Sequence, residues 1–238
     1  MKLSIIIPVF NEEKTISEVL NKVNDVNIAG VEKEIIVVDD GSTDTTALEI
    51  QNLKLKIKNL KFFHHAKNLG KGSAVRTGIK NAAGDYIIIQ DADLEYDPND
   101  IKKLVGFVKN NTSGVVYGTR LRRLPNFNRD ERTLGFLLHY LGNKFLSFLT
   151  SILYGQWITD METGYKLFSR SVVKDMKLNS KRFDFEPEIT AKILKKGIRI
   201  IEVPITTNPR GYNEGKKLNT FRDGTIALWT LFKYRFLD

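Results

Sequence analysis

The 238-residue sequence contains no cysteine. Disulfides, thiolate zinc sites and cysteine nucleophiles are therefore excluded, and the composition fits a reducing compartment. Histidine is scarce too: only His64, His65 and His139 occur, which argues against a histidine-built metal site. Any metal is expected to be held by oxygen, which points to magnesium or manganese. No apolar run approaches the roughly 18–20 residues of a membrane-spanning helix. The opening Met1–Pro8 segment is too short in its apolar part for a secretory signal, so the chain is expected not to be integral to a membrane by itself. The Gly-x-x-x-x-Gly-Lys-Ser/Thr spacing of a P-loop is missing, which removes an ATPase reading. No Gly-x-Gly-x-x-Gly follows the first apolar run, which counts against a dinucleotide enzyme. Repeats, low-complexity tracts and linkers are also lacking, so one domain over residues 1–238 is expected.

What is present is an ordinary globular composition with an excess of basic charge. Hydrophobic residues make up 42% and charged residues 27%, enough apolar material for one sizeable core. Lys and Arg number 37 against 28 Asp and Glu, a formal net charge of +9. That excess favours anionic partners: nucleic acid, phosphorylated small molecules or an acidic membrane surface. Helices decorated with lysine would produce the same sum.

The first half alternates two periodicities. Leu3–Ile7, Ile35–Val38, Lys61–His65, Tyr86–Ile89 and Val115–Tyr117 read as strands. Between them, Ile16, Val19, Leu20 and Val23 mark a helix, and helices are expected over Gly72–Ala83 and Ile101–Val108. Apolar strands alternating with amphipathic helices imply an α/β fold whose mostly parallel sheet is covered on both sides. In the second half, 121–131 and 207–217 read as polar loops and Ile198–Ile205 as a late strand. Thr133–Tyr154 and Phe221–Phe236 read as long apolar-rich helices.

Ligands of a parallel α/β sheet bind beyond the carboxyl ends of its strands. Here those ends carry Pro8-Val9-Phe10-Asn11-Glu12, Asp39-Asp40-Gly41-Ser42 and Asp91-Ala92-Asp93, which topology should bring to one edge. Alternate residues of an extended segment face one way, so Asp91 and Asp93 can aim at one point. A divalent cation would relieve their repulsion and bridge to phosphate, with Glu95 near enough to join. The alternative is an acidic turn capping the helix that begins near Asn99. Asp39 and Asp40 could accept hydrogen bonds from a base N–H or ribose hydroxyls, or one of them could build an Asx turn with Gly41. Asn68-Leu69-Gly70-Lys71-Gly72 opens a helix and places backbone N–H groups and Lys71 where an anion could sit.

These segments, in this order, resemble the family 2 glycosyltransferases of the GT-A fold, and specifically their dolichol- or polyprenyl-phosphate sugar synthase branch. The likeness runs from Leu3 to about Leu218. It is carried by Ile-Ile-Pro-Val-Phe-Asn-Glu (6–12), Val-Val-Asp-Asp-Gly-Ser-Thr-Asp (37–44), Asn-Leu-Gly-Lys-Gly (68–72) and Asp-Ala-Asp-Leu (91–94). Gly-Thr-Arg (118–120), Asp-Met-Glu-Thr-Gly-Tyr-Lys (160–166) and Gly-Lys-Lys-Leu (215–218) complete it. The resemblance implies that residues 1–120 bind the nucleotide-sugar and 121–238 the acceptor. Pro8, Phe10, Glu12, Val38 and Asp40 would line the base and ribose pocket, with Asp39 beside them and Lys71 and Ala92 in the same nucleotide-sugar set. Asp91 and Asp93 would be the metal pair, with Glu95 where this branch often has Gln. Arg120 would contact donor or acceptor phosphate. Arg132, Arg210, Lys216 and Lys217 would join it, the last three from a late loop whose spacing departs from the usual pattern by about a residue. The two apolar-rich helices would lie in a membrane interface.

The expected activity is metal-dependent, inverting transfer of a hexose from a UDP- or GDP-sugar to a polyprenyl phosphate. The expected setting is peripheral, at the cytoplasmic face of an anionic membrane, without nucleic acid. A separate anchoring partner or a homo-oligomer would supply further attachment. A lipid phosphate is already ionised and needs no general base, so positioning and electrostatics would carry catalysis by Asp93 and Arg120. A glycan or protein hydroxyl acceptor would need a base, for which Asp160 is the candidate, its other role being a structural acid paired with Lys or Arg. A sugar-phosphate nucleotidyltransferase would want a Gly-rich loop where Asn11-Glu12 stands. A nucleic-acid module would want basic and aromatic residues where acids guard the strand ends.

Overall fold

In the computed structural model, which describes residues 1–110, 114–120, 134–208 and 220–237, the apolar runs of the first half become strands. In chain order these are β1 (Lys2–Val9), α1 (Ile16–Asp25), β2 (Glu32–Asp39), α2 (Thr46–Lys54), β3 (Leu60–His64), α3 (Lys71–Asn81) and β4 (Tyr86–Ile89). A 3-10 turn at Pro98–Asp100 then leads into α4 (Ile101–Asn110), followed by β5 (Val115–Thr119). The second half supplies α5 (Leu134–Tyr154), β6 (Lys166–Ser169), α6 (Arg170–Val173), α7 (Phe185–Lys195), β7 (Ile201–Pro204) and α8 (Thr220–Phe236).

The described strands form one sheet in the order β3-β2-β1-β4-β6-β5-β7. All neighbours are parallel except β6, which runs antiparallel to both β4 and β5. This is the mostly parallel, helix-flanked GT-A architecture expected. Side-chain alternation divides the core. Leu3, Ile5 and Ile7 pack with Ile16, Leu20 and Leu104 on one face; Ile6, Ile36 and Val38 pack with Ala74, Val75 and Ile189 on the other. The periodicity argument assigns nothing to 46–54 or 185–195, yet both are helical, and it misses β6. Four residues that begin with a lysine offer no pattern to read.

One buried acid is tied to the sheet itself. Glu34 accepts hydrogen bonds from Ser4 Oγ at 2.5 Å and the Ala83 N–H at 2.6 Å, and pairs with Lys61 at 2.9 Å. Burial alone would raise its pKa, but these donors overcome burial and hold it at about 2, below the ordinary 4.5. A depressed carboxylate contributes stability above its unfolded pKa and loses it as pH falls through the folded one. Glu34→Gln is therefore expected to cost about 1–2 kcal/mol at neutral pH, the exposed Lys61 partner being screened by solvent. The deficit should shrink between pH 4.5 and 2, read by urea melts of both proteins across that window.

Candidate functional site

β1, β2 and β4 are parallel, so their carboxyl ends share an edge, and the loops leaving them are knotted together there. The Asn11 N–H donates to Ser42 Oγ and the Glu12 N–H to Thr46 Oγ1, both at 2.9 Å; the Thr43 N–H donates to Asn11 Oδ1 at 2.8 Å. Asn11 takes a left-handed φ of 49°, which Asn tolerates. Thr15 Oγ1 lies 2.9 Å from Glu12 Oε2 and 2.8 Å from the Ala92 carbonyl, joining the first loop to the third.

The two acids after β2 do different work. Asp39 is fully buried, accepts from the Ser42 N–H and hydroxyl at 3.0 and 2.5 Å, and meets His64 Nδ1 at 2.9 Å. It builds the turn. Asp40 faces the cavity edge but accepts from the Leu69 and Gly70 N–H groups at 3.0 and 2.7 Å and meets His65 Nδ1 at 2.7 Å. The Leu69 and Gly70 N–H groups, just ahead of α3, are thus occupied by the chain's own carboxylate. Gly70 is needed for that geometry, because its φ is +98° and a Cβ there would overlap the Lys181 carbonyl.

Asp91, Ala92, Asp93 and Glu95 all line one cavity at this edge. The capping role belongs instead to Asp97, whose carboxylate accepts from the Asn99 N–H at 2.9 Å. Leu94 sits at φ 61°, a left-handed turn costly for a branched side chain, between Asp93 and Glu95, which both reach the cavity. Lys71 Nζ lies 2.8 Å from Asp91 Oδ1 and 3.0 Å from Glu186 Oε1. Burial opposes its charge, but Asp91 and Glu186 outweigh burial and raise its pKa well above the ordinary value. Behind Asp91, Gly164 leaves room for the carboxylate: a Cβ at 164 would overlap Asp91 Oδ2. The donors are all carboxylate oxygens, which suits a hard divalent cation. Among the described residues no three acidic or imidazole groups already converge as a finished cage. Two carboxylates completed by phosphate oxygens is the arrangement magnesium favours, so the residues fit such an ion bound together with a diphosphate.

The opposite wall is built by β5 and by the segment that precedes β6. Because β6 is antiparallel, the residues before it arrive at the edge where the parallel strands end. Asp160 there is fully buried and clamps Arg120: Oδ2 accepts from Arg120 N and Nε at 2.9 and 2.8 Å, and Oδ1 from Nη2 at 2.8 Å. Burial would raise the Asp160 pKa, but Arg120 overcomes it and lowers it. The guanidinium also lies over the Tyr96 ring, 6.0 Å from its centroid, and that ring stacks on Tyr165 at 4.7 Å. Beneath the loop, buried Lys166 donates to the Met161 and Thr163 carbonyls at 2.7 Å each. Glu162 faces the cavity, and burial, reinforced by Glu186, pushes its pKa up.

The cavity therefore unites Pro8, Phe10, Glu12, Asp40, Lys71, Asp91, Ala92, Asp93, Glu95 and Arg120 from the sequence-based set. Val38, Asp39 and Asp160 are buried and lie outside its lining; Val38 packs beneath α3 and Asp160 stands behind Arg120. Arg132, Arg210, Lys216 and Lys217 lie outside the described residues. Tyr96, His139, Glu162, Gly164, Phe183 and Glu186 also line it, and sequence reasoning assigned them no role. The available signal for Glu186 was an acid set among Phe185, Pro187 and Ile189, core residues of a helix.

Comparison with known proteins agrees with this architecture. The family description "Glycosyl transferase family 2" matches residues 4–177. A UDP-N-acetylglucosamine–dolichyl-phosphate N-acetylglucosaminyltransferase of Methanococcus voltae is 32% identical over 90% of this chain and 89% of its own length. A dolichol-phosphate mannosyltransferase of Pyrococcus furiosus is 32% identical over 91% of this chain, which spans 59% of that longer protein. Glucosyl-3-phosphoglycerate synthase of Mycobacterium tuberculosis, solved with Mn2+, UDP and glucosyl-3-phosphoglycerate, superposes with a TM-score of 0.74 at 19% identity. That superposition covers 98% of this chain and 79% of the other. The strand-end acids, the Arg120–Asp160 clamp and the family match over most of the chain lead to one assignment: this chain is an enzyme of glycosyltransferase family 2.

Proposed function

We propose that the chain transfers a hexosyl group, with inversion, from a UDP- or GDP-sugar to the phosphate of a polyprenyl lipid of the dolichyl type. The observation that carries the acceptor assignment is the inverted amphipathicity of α5. Its buried face is polar: Ser147 Oγ accepts from the Met161 N–H, and Ser151 Oγ from the Ile158 N–H, both at 2.9 Å. Those bonds pin the loop that holds Asp160. Its outward face carries Leu138, Leu141, Phe145, Phe148 and Ile152, with Phe145 58% and Ile152 63% exposed. Exposed Trp157 packs edge-on against Phe148, and α8 adds exposed Trp229 and Phe236 beside basic Lys233 and Arg235. A contiguous apolar stripe flanked by basic residues suits an anionic bilayer interface. No helix among the described residues is long and apolar enough to cross a membrane. His139, on the same helix as the stripe, lines the cavity, so a lipid tail on the stripe can present its head group to Arg120.

In this reading residues 1–120 hold the donor. Pro8, Phe10 and Glu12 flank the nucleoside, and buried Val38 and Asp39 shape that wall from behind. Asp91 and Asp93, with Glu95, would hold Mg2+ or Mn2+, which when bound neutralises the departing diphosphate. Arg120, oriented by Asp160, receives the acceptor phosphate. An oxygen of that phosphate attacks the anomeric carbon, the carbon–oxygen bond to the diphosphate breaks, and the nucleoside diphosphate leaves. A phosphate monoester is largely ionised at neutral pH, its second pKa being about 6, so no base is required. The two dolichyl-phosphate relatives differ in the sugar they are named for and share the lipid acceptor.

The test is transfer of radiolabelled sugar from UDP-glucose, UDP-N-acetylglucosamine and GDP-mannose into polyprenyl phosphate, with Mn2+, Mg2+ or EDTA. Organic-extractable counts from one donor, abolished by EDTA, are expected. Metal-dependent donor binding without such counts would overturn the acceptor assignment and direct the search to glycan or phosphoglycerate hydroxyls.

A further inference from the structure

The Asp160 clamp fixes the Arg120 side chain along one edge only. Asp160 takes the Nε–H and one N–H of Nη2, at 2.8 Å each, out of the five donors that a guanidinium offers. The outer fork, made by Nη1 and the second N–H of Nη2, lies outside that clamp. A phosphate is best received by such a fork, with two of its oxygens in the guanidinium plane. Two bonds along one edge act as a hinge, however, and do little to stop the plane tilting about it. The face needs its own support.

Tyr96 supplies one. Its ring lies under the guanidinium, with Arg120 Cζ 6.0 Å from the centroid, and is buried while still lining the cavity. The ring is itself held on three sides. It stacks on Tyr165, centroids 4.7 Å apart and planes 16° from parallel. Its hydroxyl accepts from the buried Gly164 N–H at 2.9 Å. Its main chain bridges to Thr207, and the neighbouring Glu95 carbonyl accepts from the Asn208 N–H at 2.9 Å. Below it, Tyr165 is fully buried, and its hydroxyl meets the Gln90 amide oxygen and the Asp97 carbonyl. The two rings form a column rooted at Gln90, next to Asp91, with Arg120 on top. We infer that Tyr96 is a positioning residue for transfer: its ring sets the plane of Arg120 so that the outer fork meets the acceptor phosphate. The hydroxyl only holds the ring and the loop before β6 in place. The inference rests on Arg120 receiving that phosphate.

The two parts of the side chain separate chemically. Phenylalanine keeps the aromatic face and leaves the Gly164 N–H without its acceptor. Leucine fills part of the space without that face. Calorimetric binding of geranyl phosphate to the enzyme saturated with Mn2+ and UDP or GDP tests the difference, with geraniol as the control for the tail. Arg120→Ala should weaken the phosphate at least about tenfold, the scale of hydrogen bonds to a charged group. Tyr96→Leu should weaken it about fivefold to tenfold, the scale of a partly desolvated cation–π contact, with nucleotide affinity within about twofold of wild type. Tyr96→Phe should melt several degrees lower, through the unpartnered N–H, yet bind geranyl phosphate within about twofold of wild type. In the Arg120→Ala background, Tyr96→Leu should cost less than about twofold, because the group it acts through is gone. Three results would overturn the inference alone: wild-type affinity for geranyl phosphate in Tyr96→Leu, a Tyr96→Phe variant as weak as Tyr96→Leu, or a loss in Tyr96→Leu that the nucleotide shares. A wild type that takes neither nucleotide, or whose loaded form ignores geranyl phosphate, would overturn the functional reading and the inference with it. So would an Arg120→Ala variant that binds geranyl phosphate normally.

Discussion

Asp160→Asn is expected to lower sugar transfer at least about a hundredfold, the usual scale for loss of a positioned charge-stabilising donor, and to cost about 2–4 kcal/mol of stability, below a fully buried pair because Arg120 opens to the cavity. Both losses have one cause. Asp160 is fully buried and spends both oxygens on Arg120 at 2.8 to 2.9 Å. Asparagine removes the charge and leaves a guanidinium that opens onto the cavity against an amide that offers one acceptor in place of two. A general base whose only task is proton removal behaves differently: its amide variant loses turnover while keeping its melting temperature, and the acid limb of the pH–rate profile vanishes with it. The depressed pKa of Asp160 already makes it a weak base. A double-mutant cycle with Arg120→Ala separates the cases. As holder of Arg120, Asp160 should show little further loss of transfer once Arg120 is gone. Losses that multiply across the two variants, with normal stability for Asp160→Asn, would return Asp160 to the role of base.

The same residues show where sequence reasoning reached and where it stopped. β1, β2 and β4 were legible because a parallel strand covered on both faces must be apolar at every position, and the acids that end such runs stand out. Asp91, Asp93 and Asp40 were found that way. Glu162 and Gly164 were quoted within a motif but could not be placed by periodicity, because a reading of parallel strands puts the segment before a strand at the far edge. The antiparallel course of β6 reverses this, and four residues beginning with buried Lys166 give no sign of direction. In the Asn68–Gly72 segment the reason is different: composition cannot say that Asp40 is the carboxylate that the Leu69 and Gly70 N–H groups meet. For α5, the long apolar helix was legible; that its polar side faces inward and its phenylalanines outward was not.

Lys71 and Asp93 should give opposite metal signatures. In the free enzyme Lys71 is the cation between Asp91 and Glu186. Lys71→Met leaves those carboxylates facing each other, at an expected cost of about 2–3 kcal/mol in EDTA; this is below the about 3–5 of a fully buried pair because Asp91 opens to cavity water. A divalent ion brought in with UDP supplies the lost positive charge beside Asp91. The thermal upshift produced by Mn2+ plus UDP should therefore be larger in Lys71→Met than in the wild type. Asp93→Ala removes one of the acids offered to the ion and leaves Lys71 in place. Its stability in EDTA should stay near wild type, its upshift with Mn2+ plus UDP should collapse, and sugar transfer should fall at least about a thousandfold, a loss of some 4 kcal/mol in transition-state stabilisation. Melting each protein in EDTA, in Mn2+ alone and in Mn2+ plus UDP reads all of this in one experiment. Equal upshifts in the three proteins would place the ion away from Asp91 and Asp93. An upshift smaller in Lys71→Met than in wild type would mean that the lysine holds the diphosphate itself, and that the ion does not stand in for it.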